Sequence, residues 1–237
     1  MSNDTVPHAV PHAVVTGSSS GIGRAIAEHL LGQGWHVSGF DVARPAIVHA
    51  AFAPVAVDLG DGADLARAAA AVARVDALVH AAGVLRVGPL GELDHAGGAL
   101  MWRLHVDAAT RLADALVPAM AARGQGRVVF IGSRVAQGMP GRGQYAATKA
   151  ALVALARSWG AETAAHGVTV NVVSPAATQT TMLDDPARAA SAPRLPPIGR
   201  LIQPGEIAAL VGFLLSPSAA AITGQDIAIC GGASLPR

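Results

Sequence analysis

The stretch Thr16-Gly17-Ser18-Ser19-Ser20-Gly21-Ile22-Gly23 decides how this chain folds. It follows the short apolar run Ala13 to Thr16 and leads at once into Arg24-Ala25-Ile26-Ala27, where a helical pattern begins. Gly17 permits a tight turn, Gly21 lets backbone approach a phosphate, and Gly23 lets the new helix pack on the preceding strand. The helix N-terminus offers unpaired N–H groups and a positive dipole end to a pyrophosphate. A strand, a glycine turn and a helix in this order point to a dinucleotide site rather than to a turn without a ligand.

Outward from that turn, β-rich runs alternate with Ala/Leu-rich segments of helical period, the pattern of a parallel sheet covered on both faces. Strands are expected at Ala13 to Thr16, Val37 to Asp41, Pro54 to Asp58, Ala77 to His80, Arg127 to Ser133, Val168 to Ser174 and Asp226 to Cys230. Helices are expected at Gly21 to Leu31, Ala63 to Val72, Gly98 to Arg123, Gln144 to His166 and Pro204 to Leu215, with a weaker one after Asp94 or within Met182 to Ala192. The expectation is an α/β chain with one Rossmann-type domain over residues 1–237, built on a seven-stranded, doubly wound parallel sheet with helices on both faces. Within it, residues 1–12 read as a flexible tail. Residues 179–203, rich in Pro, Ala, Asp and Arg, read as a loop lidding the substrate.

Of 237 residues, 51% are apolar and 14% charged, enough apolar surface for one sizeable core. The 17 basic and 16 acidic residues form no single-sign block, which argues against a nucleic-acid partner. No apolar run approaches the length of a membrane span, and the N-terminus has neither a basic start nor an apolar run, so no membrane association and a cytoplasmic location are expected. A lone Cys230 cannot form an intrachain disulfide, and no metal site is apparent.

Eighteen residues after Gly23, at the end of the second strand, stands Asp41. A carboxylate there can accept hydrogen bonds from both ribose hydroxyls and repels a 2′-phosphate, which favours NAD over NADP. Arg44 complicates this, but none of Ser18, Ser19 and Ser20 is basic. Asp58-Leu59 can bond an adenine edge through the carboxylate and a backbone N–H, although Asp is also an ordinary turn residue.

The chain has one tyrosine and one lysine, Tyr145 and Lys149, four positions apart. On a helix the two lie on one face with Cβ atoms about 5 to 6 Å apart. A free phenol has a pKa of about 10, so alcohol oxidation near neutral pH needs something to lower it. An ammonium at about 5 Å in an effective dielectric of roughly 20 supplies about 3 kcal/mol, or about two pKa units.

The glycine spacing together with Tyr145-Ala146-Ala147-Thr148-Lys149 resembles the short-chain dehydrogenase/reductase family, and the resemblance runs along essentially the whole chain. Further marks are His80-Ala81-Ala82-Gly83, Ser133 closing the fifth strand, and Asn171-Val172-Val173-Ser174-Pro175-Ala176-Ala177-Thr178-Gln179-Thr180. The resemblance implies Ser133, Tyr145 and Lys149 as catalytic residues. It implies cofactor contacts at Gly17, Ser19, Ser20, Gly21, Ile22, Gly23, Asp41, Asp58, Leu59, Ala81, Ala82, Gly83, Tyr145, Lys149, Pro175, Thr178 and Thr180. By the same resemblance Ser133 holds the substrate oxygen, Lys149 bonds the nicotinamide ribose and Thr180 the carboxamide. Substrate is expected near Leu85, Arg86, Arg134, Val135, Met139, Arg142, Ala177 and Met182.

Only two asparagines occur, Asn3 and Asn171, so asparagines that the family usually carries are missing. His80 and Ala81 replace a usual pair, and His105 stands where the family carries the Asn of its catalytic tetrad, with a proton-relaying role as one reading and a hydrogen-bonded core residue as the other. Ala176 replaces the usual glycine after Pro175.

The expected function is NAD-dependent hydride transfer between the nicotinamide and a small apolar or cyclic secondary alcohol, with a diol suggested by the similarity of Pro175 to Met182 to dihydrodiol-type dehydrogenases. The rivals are an NADPH-dependent ketone or 3-oxoacyl reductase and a catalytically silent dinucleotide-binding regulator. The family usually pairs helices corresponding to Gly98–Arg123 and Gln144–His166 into homotetramers or dimers, and Ala146, Ala150, Ala154 and Ala161 suit such packing.

Overall fold

A computed structural model describes residues 10–184 and 194–235. Seven parallel strands form one sheet: β1 (His12–Thr16), β2 (His36–Asp41), β3 (Phe52–Ala56), β4 (Ala77–His80), β5 (Gly126–Ile131), β6 (Val168–Pro175) and β7 (Asp226–Ile229), in the order β3-β2-β1-β4-β5-β6-β7. The helices are α1 (Gly21–Gly32), α2 (Gly62–Ala70), α3 (His95–Trp102), α4 (Ala108–Ala122), α5 (Gly143–Thr163) and α6 (Pro204–Leu215). Strand order reverses between β1 and β4, and in doubly wound sheets ligands bind in the crevice beyond the strand ends at such a point.

The central strands are continuously apolar because helices cover both faces: all four residues of β4 and all eight of β6 are buried. Alternate residues feed two cores. Val14, Leu78, Val128 and Phe130 meet Leu112 of α4 and Leu152 of α5, whereas Ala13, Val15, Val79 and Val129 meet Ile26 and Leu30 of α1 and Ile207 and Val211 of α6.

Several expected boundaries are corrected. The third strand lies at Phe52–Ala56 and not at Pro54 to Asp58, because Phe52 is its buried anchor and the remaining residues, half-buried Val55 apart, form an exposed edge where Pro54 is tolerated. The fifth strand ends at Ile131, and Ser133 caps the 3₁₀ turn Arg134–Gln137 that follows. The helix expected from Gly98 to Arg123 starts at His95 and is interrupted by a π-turn at Arg103–Asp107, where Ala108 N–H reaches back five residues to Arg103 C=O. The weak helix expected after Asp94 is therefore the start of this long one, with Asp94 capping the Gly97 N–H at 2.8 Å. His12, expected in the tail, opens β1, with its N–H on the Asp76 carboxylate at 3.0 Å and its ring on the Ser38 hydroxyl at 2.9 Å. The first nine residues of the expected tail and residues 185–193 of the expected lid lie outside the described residues. Among the described residues, no helix is long and apolar enough to cross a membrane.

Candidate active site

The glycine turn after β1 and the loop after β4 meet at the switch point. Gly17 has φ +68°, and a Cβ there would lie 2.9 Å from the Ala82 Cα, so this glycine serves both the turn and the approach of the β4 loop. A Cβ on Gly23 would lie 2.2 Å from the Gly17 carbonyl oxygen, so its smallness lets the first turn of α1 close on the glycine turn itself. Gly21 has φ +54°, and its missing Cβ faces the Thr180 methyl at 3.3 Å. These bare backbone surfaces form the cradle a pyrophosphate needs at the start of α1. Thr16 locks the two loops together: its hydroxyl oxygen accepts from both Ala81 N–H and Ala82 N–H at 3.1 Å.

Asp41 ends β2 with its carboxylate held over the glycine turn. One oxygen accepts from Ser19 N–H and the other from Ala43 N–H, each at 2.9 Å. A carboxylate has about four acceptor sites, so two remain for a diol. Asp58 lies two residues beyond β3, is exposed, and accepts from Gly60 N–H at 2.8 Å. The Leu59 side chain is buried in the core, which leaves its backbone as the part a ligand can meet.

The Tyr145 and Lys149 side chains share the first two turns of α5. Lys149 is buried, its Nζ lies 5.7 Å from the Tyr145 ring centroid, and it donates to the Ile131 carbonyl at 2.8 Å. Burial pulls the amine down to about 7, so near neutral pH it is not the permanent cation that the sequence arithmetic assumed. Its bond to the end of β5 brings α5 beside Ser133, two residues further on. The buried Ser133 hydroxyl oxygen accepts from Val135 N–H at 3.2 Å.

The two histidines that replace asparagines are both buried and both fully bonded. Since the Thr16 oxygen already accepts two N–H groups, its proton goes to Nδ1 of His80 at 3.0 Å, and Nε2–H donates to the Leu104 carbonyl in the π-turn at 3.0 Å. His105 Nε2 accepts from Val84 N–H at 3.0 Å, and Nδ1 faces the Thr148 hydroxyl at 2.8 Å. Burial, with Lys149 nearby, holds His80 down at about 3 and His105 well below the ordinary imidazole range. Gly83 is among the cofactor contacts that the resemblance implies. The nearest constraint on it is internal, because a Cβ there would lie 2.6 Å from His105 Nε2.

Around this centre the expected substrate residues divide. Leu85 and Val135 are buried, while Arg86, Met139, Arg142, Ala177 and Met182 are partly exposed. Arg86 packs its stem over Gly97 and donates to the Leu85 carbonyl at 3.0 Å. Arg134 donates to the Ala233 carbonyl at 3.0 Å, tying the turn after Ser133 to the C-terminal turn. Pro175 ends β6, Thr178 donates to the Ala176 carbonyl at 3.0 Å, and Gln179 N–H bonds the Ile202 carbonyl at 2.9 Å, so the two arms of the expected lid are paired. A groove of about 540 Å³ runs between Gly21, Arg24 and Glu28 on one side and Gln179, Thr180 and Leu183 on the other. It flanks the glycine turn and not Tyr145. Sequence reading assigned no role to Thr16 or Thr148, although both stand inside the motifs it quoted. Among the described residues, no cluster of His, Cys, Asp or Glu could hold a metal ion.

Comparison with known proteins shows the family to which the chain belongs. The family model described as enoyl-(acyl carrier protein) reductase matches residues 17–234. The 3-oxoacyl-[acyl-carrier-protein] reductase FabG of Vibrio cholerae is 36% identical over 93% of this chain and 96% of its own. The 2,3-dihydro-2,3-dihydroxybenzoate dehydrogenase of Escherichia coli is 35% identical over the same shares. A solved short chain dehydrogenase/reductase family protein superposes with a TM-score of 0.87 at 36% identity, over 95% of this chain and 98% of its own. These relatives are dehydrogenases and reductases, which removes the silent-regulator reading. The chain belongs to the short-chain dehydrogenase/reductase family and is an oxidoreductase that uses a nicotinamide dinucleotide.

Proposed function

We propose that this oxidoreductase is NAD(H)-dependent and interconverts a small cyclic or apolar secondary alcohol, a diol by preference, with the corresponding ketone. The observation that carries this reading is Asp41. Its carboxylate is fixed by Ser19 and Ala43 N–H groups and keeps lone pairs for two ribose hydroxyls. A 2′-phosphate brought to the same place meets a like charge, and Ser18, Ser19 and Ser20 offer no cation to offset it.

The dinucleotide supplies hydride acceptance or donation at its nicotinamide. The glycine turn and the α1 N-terminus bind its pyrophosphate, with Ile22, Ser20, Asp58, Leu59, Ala81 and Ala82 lining the adenosine side, and Pro175, Thr178 and Thr180 the nicotinamide side. In the oxidative direction, the Tyr145 phenolate takes the substrate hydroxyl proton and the Ser133 hydroxyl donates to the same oxygen. Lys149 stabilises that phenolate when charged. With its amine near 7, Lys149 gains its proton as negative charge develops beside it, so the pair titrates as a unit. The exposed Ala150, Ala154 and Ala161 of α5, with half-exposed Trp102 at the end of α3, support a homodimer or tetramer paired through these helices.

The name of the dihydrodihydroxybenzoate dehydrogenase relative supports a cyclic diol, and Pro175 to Met182 adds to that. The FabG relative supports a second reading, reduction of 3-oxoacyl thioesters with NADPH. One experiment separates them: initial rates on a panel of cyclic dihydrodiols, simple secondary alcohols and 3-oxoacyl thioesters, each with NAD(H) and NADP(H). NAD-linked diol oxidation is expected. Faster thioester reduction with NADPH would overturn both the cofactor and the substrate reading.

A further inference from the structure

Tyr145 is held from behind by a one-way chain of hydrogen bonds that starts on the loop after β4. Val84 N–H donates to His105 Nε2 at 3.0 Å. With that nitrogen accepting, the neutral ring carries its proton on Nδ1 and donates to Thr148 Oγ1 at 2.8 Å. The Thr148 hydroxyl then gives its single proton to the Tyr145 carbonyl at 2.8 Å. Each group in the series donates in the same direction, an arrangement in which each bond polarises the next. The His105 ring also stands edge-on to the Tyr145 ring, 5.6 Å between centroids and 86° between planes. Tyr145 is thus restrained at its main chain and at its ring by the same imidazole.

The second histidine crosses the first. His80, at the end of β4, grips Leu104 in the π-turn, while His105, the next residue of that turn, grips Val84. The titratable groups around His105 are Lys149, His80 and Tyr145. A proton relay needs a ring nitrogen that can take up a proton and lose it again. Here Nε2 is tied to a peptide N–H, which cannot give up its proton, so uptake at that atom breaks the chain.

We propose that His105 and Thr148 are positioning residues for Tyr145, fixing the first turn of α5 and the placement of the phenol beside Lys149, with no proton passing through the imidazole. The proposal rests on Tyr145 being the acid/base of the proposed function, and its test is chosen to separate the two. Because Tyr145 is the single tyrosine, ¹³C at its Cζ gives one resonance that reports its surroundings and ionisation without any turnover.

Thr148→Val keeps the shape and removes the hydroxyl, and Thr148→Ser restores it. Thr148→Val is expected to shift the Tyr145 resonance and lower kcat by about ten- to hundredfold, with dinucleotide KM changed by less than about threefold. Thr148→Ser is expected to return both readouts toward wild type. If Thr148→Val does not fold, Thr148→Ala carries the same expectation. The pH profile of kcat in His105→Asn is expected to keep the same ionisations as wild type. An unmoved resonance together with wild-type kcat in Thr148→Val would overturn the positioning role, and an ionisation lost in His105→Asn would make the imidazole a relay after all. A wild-type protein that turns over no alcohol or ketone sinks the proposed function, while the resonance still decides the positioning claim.

Discussion

Gly83 and His105 exclude each other's growth: a methyl group on the glycine would lie 2.6 Å from Nε2 of the histidine. The loop after β4 and the π-turn are therefore matched in size. Gly83→Ala is expected to cost about 1–3 kcal/mol of stability by overpacking, measured by urea unfolding. In the background of His105→Asn, whose shorter side chain leaves room, the same change is expected to cost less by about 1 kcal/mol or more. Additive costs would show that the alanine meets something other than the imidazole.

Lys149 is expected to be retained at the expense of stability. A buried amine at about 7 disfavours its proton relative to the unfolded chain, whose lysine titrates near 10.5. The unfolded chain binds more protons between those values, so this group makes stability rise with pH from 7 toward 10.5. Lys149→Met removes that cost and also the bond to Ile131, and the net expectation is a ligand-free protein more stable at pH 7 by about 1–3 kcal/mol. Its turnover is expected to fall below detection. A less stable variant at pH 7 would mean the amine is charged and well paired in the folded protein.

Acid has the same sign. His80 titrates at about 3 in the folded chain and near 6.5 when unfolded, and His105 is displaced in the same direction. Between those values the unfolded chain binds more protons at His80, so stability falls as pH drops from 6.5 toward 3, by up to about 1.4 kcal/mol per pH unit, and His105 adds a fall of the same sign. Urea unfolding at pH 7, 6 and 5 measures this. His80→Asn is expected to remove about half of the slope. A flat profile between pH 7 and 5 would mean that both rings are charged in the folded state, and a slope already halved in the wild type that one of them is.

Asp41 is expected to set cofactor choice. Asp41→Ala removes the acceptors proposed for two ribose hydroxyls, together with those of the Ser19 and Ala43 N–H groups. The preference for NAD over NADP, measured as the ratio of kcat/KM values, is expected to drop by about ten- to hundredfold. An unchanged ratio would show that another residue reads the ribose.

The strand-to-helix order was legible because it lies in short-range patterns: apolar runs for strands buried on both faces and alanine-rich period for helices. The misplaced edges have physical causes. β3 is an edge strand whose one buried anchor, Phe52, precedes the run that looked strand-like. The long helix from His95 to Ala122 contains a π-turn, which has no periodic signature in sequence. His105 showed the opposite limit. The sequence exposed the substitution but left its role open between relay and core residue, since that depends on what each ring nitrogen meets, and the partners Val84 and Thr148 lie 21 and 43 residues away.

By itself, the sequence determined that a glycine turn leads into a helix, that Asp41 follows on the next strand, and that one tyrosine and one lysine share a helical face. Those are local relations, fixed by spacing and residue chemistry. Only the tertiary structure decided that the lysine is buried enough to be pulled to about 7, that Asp41 is held by the turn it serves, and that two histidines stitch the β4 loop to the π-turn and α5. Burial and hydrogen-bond partnership arise from segments far apart in the chain, and they set which protonation state each group holds.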